Sequence, residues 1–258
     1  MKGRSQSSSI PKKHSSRRAQ KKHGLESWNV MCAVNELKRF GEKRNVEGMA
    51  RYGIRAKRIL GVSKPRIDEL ARNIGRNHIL ALQLWKTGIH DARILAGMIA
   101  EKERVTAAVM DRWMRHFDNW DICDGTCCHL FVFAKPAWSK AFAWSGRKKE
   151  FEKRAGFALA AYLAVHDKAA PDARFDKYLK VIEREADDER NFVRKAVNWA
   201  LRNIGKRNSR LNRKAILVAE RLRKRDSRTA RWIAADALRE LRSDAVQRRL
   251  QRKSAEIR

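Results

Sequence analysis

Apolar residues at helical spacing run through nearly the whole chain after residue 25, with no sustained two-residue alternation of the kind that half-buried strands show. The whole chain has only four prolines and thirteen glycines to interrupt such a pattern. Because each such helix has an apolar face to bury, the chain is predicted to be all-α. The predicted helices lie near residues 27–39, 44–59, 66–87, 90–102, 105–117, 120–133, 137–144, 149–166, 172–186, 189–206, 211–224 and 228–239.

Weak self-similarity in the second half predicts a helical-repeat solenoid. The segment 151–155 (FEKRA) returns as 192–196 (FVRKA), and 200–204 (ALRNI) is echoed by 237–241 (ALREL). Both offsets are close to about 40 residues, the period at which HEAT-type repeats stack one helix pair on the next. The curved inner face of such an array is wide enough for a duplex. Coincidence among Ala/Arg-rich helices is the alternative explanation.

The charge balance points to an anionic partner. The chain has 60 Lys and Arg against 29 Asp and Glu, a formal net charge of +31, which is typical of nucleic-acid-binding proteins. Residues 1–23 contain eight basic and no acidic side chains. We therefore expect a disordered basic tail over residues 1–24, a folded and still strongly basic body over 25–242, and a basic C-terminal tail over 243–258. Repulsion between such surfaces favours a monomer.

Compartment and cysteine usage fit a reduced environment. No apolar run reaches the roughly 18 residues of a membrane span, and the N-terminus lacks a signal-peptide pattern, so a cytoplasmic, nucleoid-associated location is expected. Three of the four cysteines, Cys123, Cys127 and Cys128, cluster beside His129. They could be metal ligands, but no second pair follows at zinc-site spacing. Buried apolar thiols are the preferred interpretation, and no metal or cofactor is predicted.

The segment 117–124 carries the clearest functional signal. If it is helical, Trp120 and Asp124 lie one turn apart on the same face and can contact one ligand together. An indole beside a carboxylate is suited to a cation. Within a surface that binds polyanions, such a spot suggests DNA that carries a positively charged, alkylated base. Asp118 and Asp121 are rival carboxylates, and a solvated ion-pair role is the ordinary alternative for Asp124.

Eight ordered segments give the chain a family resemblance. They are Met49-Ala50-Arg51-Tyr52, Leu60-Gly61-Val62, Pro65-Arg66, Leu84-Trp85, Ile89-His90-Asp91-Ala92-Arg93, Trp120-Asp121-Ile122-Cys123-Asp124, Glu152-Lys153-Arg154-Ala155 and Lys195-Ala196-Val197-Asn198-Trp199-Ala200-Leu201-Arg202. In this order, over roughly residues 49–240, they resemble the bacterial DNA alkylation repair glycosylases of the AlkD type. The resemblance implies a HEAT-like-repeat solenoid with a concave, basic DNA-binding face.

The resemblance also implies the site residues. It places the catalytic carboxylate on Asp124, the two cleft tryptophans on Trp120 and Trp199, a phosphate-contacting arginine on Arg154 and a cleft tyrosine on Tyr52. The implied activity is a monofunctional glycosylase that removes N3- and N7-alkylated purines, such as 3-methyladenine and 7-methylguanine, from duplex DNA to leave an abasic site. The remaining tryptophans are expected to pack in the core or on the surface, namely Trp28, Trp85, Trp113, Trp138, Trp144 and Trp232.

Two other function classes stay open from the sequence. One is a non-catalytic protein of the same fold that binds bent or branched DNA through its basic face. The other is a structural protein of the nucleoid or an RNA-binding protein. A carboxylate in the cleft favours catalysis over the first, since a purely electrostatic binder has no use for it, and the second leaves the pairing of Trp120 with Asp124 unexplained.

Overall fold

The computed structural model describes residues 28–255, and within them every regular element is a helix. The all-α prediction is therefore confirmed, whereas the predicted N-terminal tail lies outside the described residues. Two short 3-10 turns, Lys102–Arg104 and Phe131–Phe133, join longer helices. The α-helices are α1 Val30–Arg39, α2 Lys43–Arg51, α3 Lys64–Ile74, α4 His78–Lys86, α5 His90–Ile99, α6 Ala107–Met114, α7 Trp120–His129, α8 Ala137–Trp144, α9 Glu150–His166, α10 Asp172–Glu185, α11 Asn191–Gly205, α12 Ser209–Arg223, α13 Arg228–Leu241 and α14 Asp244–Ala255.

Three predicted boundaries differ from the structure. The single helix expected over 66–87 is two, because Gly75 adopts φ +70° and Asn77 caps a new helix by accepting a hydrogen bond from the Leu80 amide. The helix expected over 44–59 ends at Arg51, just before Gly53 at φ +79°. In the segment predicted as a basic tail, α14 forms and buries Val246 and Leu250.

The helices stack in repeats, as the sequence period predicts. One row consists of α5, α7, α9, α11 and α13, each in contact with the next, while α4, α8, α10 and α12 each pair with a member of that row. Several side-chain contacts between successive repeats join residues that are 38 positions apart, for example Asn198 with Asp236 and Lys214 with Asp176. The same separation recurs for Arg202–Glu240, Arg210–Asp172, Arg221–Glu183 and Arg225–Asp187.

Aromatic packing fills the core between the two rows. Trp85 stacks on Trp113 with ring centroids 4.0 Å apart, and Phe131 joins Trp113 to Trp144. These three tryptophans are buried, as expected from the sequence. Trp232, by contrast, is 38% exposed. Across residues 28–255, no helix combines the length and apolar character needed to traverse a lipid bilayer.

Candidate functional site

Helix α7, the second helix of the row, carries the predicted pair of Trp120 and Asp124. Asn119 begins the helix by accepting hydrogen bonds from the amides of Asp121 (3.0 Å) and Ile122 (3.1 Å). Trp120 is the first helical residue and Asp124 follows one turn later. Because segment 120–124 is helical, both side chains lie on the same face, as the sequence spacing predicts.

Asp124 is held by a buried arginine from the next helix of the row. Arg154 on α9 donates from Nε to Oδ1 of Asp124 (2.9 Å) and from Nη2 to Oδ2 (2.6 Å), a bidentate pair. The side chains are only 15% and 9% exposed. Arg154 also donates from Nη1 to the carbonyl oxygen of Phe192 at the start of α11 (2.6 Å). The arginine therefore ties α7, α9 and α11 together at this point.

Burial and the ion pair act in opposite directions on this carboxyl. Loss of solvent raises the pKa of Asp124, while the guanidinium of Arg154 favours its charged form and limits the rise. For Arg154, burial alone would lower the pKa, but the two contacts with Asp124 outweigh it and the pKa is raised. The two parallel hydrogen bonds from Arg154 hold the carboxyl group of Asp124 in one orientation.

Trp120 lies under the end of α2. Its indole Nε1 donates to the carbonyl oxygen of Tyr52 at 2.9 Å. It lines an open concavity of about 470 Å³ together with residues of α2 and the loop after it, among them Arg44, Met49 and Tyr52. The Tyr52 side chain is 76% exposed. The structure thus brings these two predicted cleft aromatics together on one wall of a basic concavity.

The turn after Tyr52 reaches the helix row at α11. Gly53 adopts φ +79°, and a Cβ atom there would lie 2.9 Å from the Phe192 ring. Glycine is required at this position by both its backbone angle and this close approach. Since the carbonyl oxygen of Phe192 accepts a hydrogen bond from Arg154, the loop after α2 packs close to the Asp124–Arg154 pair.

Trp199 joins the same surface through a tyrosine that the sequence reasoning missed. The ring of Tyr162 on α9 meets Trp199 on α11 edge to face, with centroids 4.9 Å apart. Its hydroxyl interacts electrostatically with Cys128, which lies one turn beyond Asp124 on α7. Burial, first of all, raises the pKa of Tyr162 well above its ordinary range. The face that begins with Trp120 and Asp124 therefore continues through Cys128 and Tyr162 to Trp199.

Most of the chain matches the model of a known protein family. Residues 33–241 match the family model described as DNA alkylation repair enzyme. The chain belongs to this family. A solved structure described as "a new family of proteins related to the HEAT-like repeat DNA glycosylases with affinity for branched DNA structures" superposes with a TM-score of 0.71 at 21% identity, covering 88% of this chain and 95% of that one. No curated protein matches the sequence.

Membership of the DNA alkylation repair family confirms the resemblance predicted from the sequence, and the superposition confirms the HEAT-like fold. The roles assigned to Asp124, Trp120, Trp199, Arg154 and Tyr52 stay predictions. For Arg154 the structure adds that Nε, Nη1 and Nη2 each already donate a hydrogen bond to a protein acceptor. A phosphate can reach only the N–H groups that remain.

The rival carboxylates in this family member are engaged elsewhere. Asp121 contacts the buried His90, with 3.0 Å between Oδ2 and Nε2, and Asp118 lies 3.9 Å from Arg93. Asp121 is also the more exposed of the two acids nearest Trp120, at 36% against 15% for Asp124. Neither rival therefore shares the buried, rigid environment of Asp124.

The cysteines of α7 pack the helix against α9. Cys123 and Cys127 are fully buried, and their thiols point at the carbonyl oxygens of Phe151 (3.7 Å) and Ala155 (3.8 Å). Burial raises the pKa of the Cys123 thiol well above its ordinary value. Within residues 28–255, no three His, Cys, Asp or Glu side chains come together as a metal site.

Proposed function

We propose that this protein is a monofunctional DNA glycosylase that excises N3- and N7-alkylated purines from duplex DNA and leaves an abasic site. The observation that carries the proposal is the buried, bidentate Asp124–Arg154 pair one helical turn from Trp120, whose indole lines the open concavity. A fixed anion beside an indole suits a positively charged reaction centre.

The chemistry follows from the charge of the substrate. A purine alkylated at N3 or N7 is already cationic, so it leaves as a neutral base without a proton donor, and the barrier is the oxocarbenium-like sugar. Asp124 stabilises that developing positive charge and orients the attacking water, as carboxylates do in sugar hydrolysis. The bidentate contact with Arg154 uses two of about four acceptor positions of the carboxylate, which leaves lone pairs for the sugar and the water.

The aromatic side chains supply the rest of the recognition. The faces of Trp120 and Trp199 attract the cationic base and the sugar, with about 0.5–2 kcal/mol for each cation–π contact. In this proposal Tyr52, which is exposed on the wall of the concavity, contacts the DNA. Arg154 positions the carboxylate, and its remaining N–H groups are available to a phosphate. No amine nucleophile takes part, so no covalent imine to the DNA is expected.

The test is release of free methylated purines from methylated duplex DNA by the wild type and by Asp124→Asn. Loss of the charge is expected to reduce release by about 100-fold or more, while DNA binding stays within a few-fold. Asp118→Asn is the matched control, since it makes the same chemical change on an exposed carboxylate, and we expect it to release purines at the wild-type rate. Equal release by all three proteins would remove Asp124 from the mechanism.

A non-catalytic protein that binds branched DNA is the second candidate. It is favoured by the solved relative, which is described as having affinity for such DNA. The same assay separates the two candidates when it is combined with binding measurements on branched and linear duplexes. No purine release from the wild type, together with tighter binding to the branched DNA, would replace the glycosylase proposal by this one.

A further inference from the structure

An arginine–aromatic contact joins α11 to α13, one repeat beyond the Asp124–Arg154 pair. The guanidinium carbon of Arg194, on α11, lies 5.1 Å from the ring centroid of Trp232, on α13. Trp232 is 38% exposed, whereas the three core tryptophans are buried. The ring therefore keeps accessible surface although a cation already covers part of it.

This contact has the same sequence separation as an arginine–aromatic contact at the candidate active site. Arg154 lies over the ring of Phe192 at 6.0 Å, and in both cases the arginine and the aromatic residue are 38 positions apart in sequence. The two contacts differ in whether a carboxylate neutralises the arginine. Arg154 is neutralised by Asp124, which lies 30 positions before it, whereas the residue 30 positions before Arg194 is Ala164, a buried alanine.

The guanidinium of Arg194 has no carboxylate partner among the described residues. Within residues 28–255 its side chain makes one hydrogen bond, from Nη2 to Asn191 Oδ1 at 3.3 Å, and no carboxylate lies at ion-pair distance. Its Nε is buried and has no acceptor in this part of the chain. A buried N–H of a guanidinium without an acceptor is unfavourable, and the terminal N–H groups of Arg194 that make no hydrogen bond among the described residues can donate to a bound anion.

The neighbouring charges reinforce the preference for an anion. Lys195, next to Arg194, and Arg228, one turn before Trp232, are exposed and form no ion pair among the described residues. The nearest acid along α13 is Asp236, one turn after Trp232, and it is already occupied by Asn198, Arg202 and Arg239. The surface around the indole is therefore positive.

We propose that Arg194 and Trp232 form a nucleotide subsite that binds an unpaired nucleotide of DNA outside the Asp124 cleft. The exposed indole stacks on the base, and Arg194, with Lys195 and Arg228, binds the adjoining phosphates. An aromatic platform within a basic surface is the usual way to hold unstacked nucleotides without sequence preference. A simple anion would need only the cations, and a fully paired duplex would offer no free base face to Trp232.

The inference rests on the DNA binding of the proposed function and is independent of base excision. The test compares two unmodified, fluorescein-labelled DNAs of equal length, one an intact duplex and one with a short single-stranded oligo-dT gap. Trp232→Ala is expected to weaken binding to the gapped DNA by about fivefold or more, the range measured for loss of a stacking aromatic, and binding to the intact duplex by less than about twofold.

Further variants keep the test independent of folding defects. Trp232→Phe retains a stacking ring and is expected to restore most of the gapped-DNA affinity. Arg194→Ala removes a phosphate contact and should lower the salt dependence of gapped-DNA binding by about one ion. Leu217→Ala is the control, because it removes an exposed apolar side chain from a different helix, α12. It should bind both DNAs as the wild type does.

The outcomes are distinct for the two proposals. A loss confined to the gapped DNA supports the subsite even if the wild type releases no methylated purine. Equal losses on both DNAs, no loss on either, or a Trp232→Phe variant as weak as Trp232→Ala would overturn it. If the wild type releases purines but Trp232→Ala binds both DNAs as tightly as the wild type does, the glycosylase proposal stands and the subsite is ruled out.

Discussion

Replacing Asp124 by alanine is expected to destabilise the fold as well as to abolish base release. The carboxylate is 15% exposed and its partner Arg154 is 9% exposed. Removing the acid leaves a guanidinium buried with only the Phe192 carbonyl oxygen as acceptor. Breaking a buried pair by deleting one member costs about 3–5 kcal/mol of unfolding free energy, because the remaining charge is uncompensated.

A double-mutant cycle isolates this effect. Arg154→Met keeps much of the side-chain volume and removes the charge, so the variant with both Asp124→Ala and Arg154→Met has no orphaned ion. We expect its loss of unfolding free energy to be smaller than the sum of the two single losses by about 1–3 kcal/mol. Urea unfolding followed by circular dichroism measures all four proteins, with equal slopes as the check on two-state behaviour.

The result that would refute this reasoning is additivity. If Asp124→Ala costs less than about 1 kcal/mol, or if the two single losses simply add, the pair is solvated and its buried geometry does not determine its energetics. Asp124→Asn is the better variant for the activity test, because its amide retains one acceptor for Arg154. Its stability is to be measured alongside, so that lost activity is not mistaken for lost fold.

Two further predictions concern the surroundings of the site. Gly53→Ala is expected to cost about 1–3 kcal/mol, since it forces a non-glycine residue to φ +79° and drives a Cβ atom to 2.9 Å from the Phe192 ring; an unchanged melting temperature would show that the loop moves away freely. For Asp188, burial alone would raise the pKa, but hydrogen bonds from Arg190 and Lys153 lower it from 3.8 to about 2. This stabilises the folded state by roughly 2 kcal/mol above about pH 4, and the contribution is lost as the pH falls through about 2. Asp188→Asn should therefore be less stable than the wild type at pH 7 and equal to it near pH 2; a constant difference across that window would contradict the assignment.

Helical periodicity made the fold predictable, but not every boundary. The division near Gly75 carries recognisable signals, a glycine followed by the Asn77 cap, yet the apolar pattern on both sides continues across it. Helix α14 was assigned to a tail because it is rich in arginine. It forms since Val246 and Leu250 bury one face of an otherwise polar helix against α12 and α13.

For the site, sequence spacing identified Trp120 and Asp124, because both lie within one helical turn. The partnership with Arg154 depends on how α9 packs against α7, and a separation of 30 residues carries no local signal. Tyr162 was missed for the same reason, since its contacts with Cys128 and Trp199 come from two other helices. Trp232 was predicted to be a packing residue, and only its exposure distinguishes it from the buried tryptophans.

The contacts that join residues 38 positions apart differ in how strongly salt weakens them. The outer helices α10 and α12 are joined by exposed pairs such as Arg221–Glu183 and Arg225–Asp187, whereas α9 and α11 are joined by the buried contact between Arg154 and Phe192. Salt weakens the exposed links far more than the buried one. High ionic strength therefore loosens the link between α10 and α12, while the contact that holds Arg154 beside Asp124 is preserved.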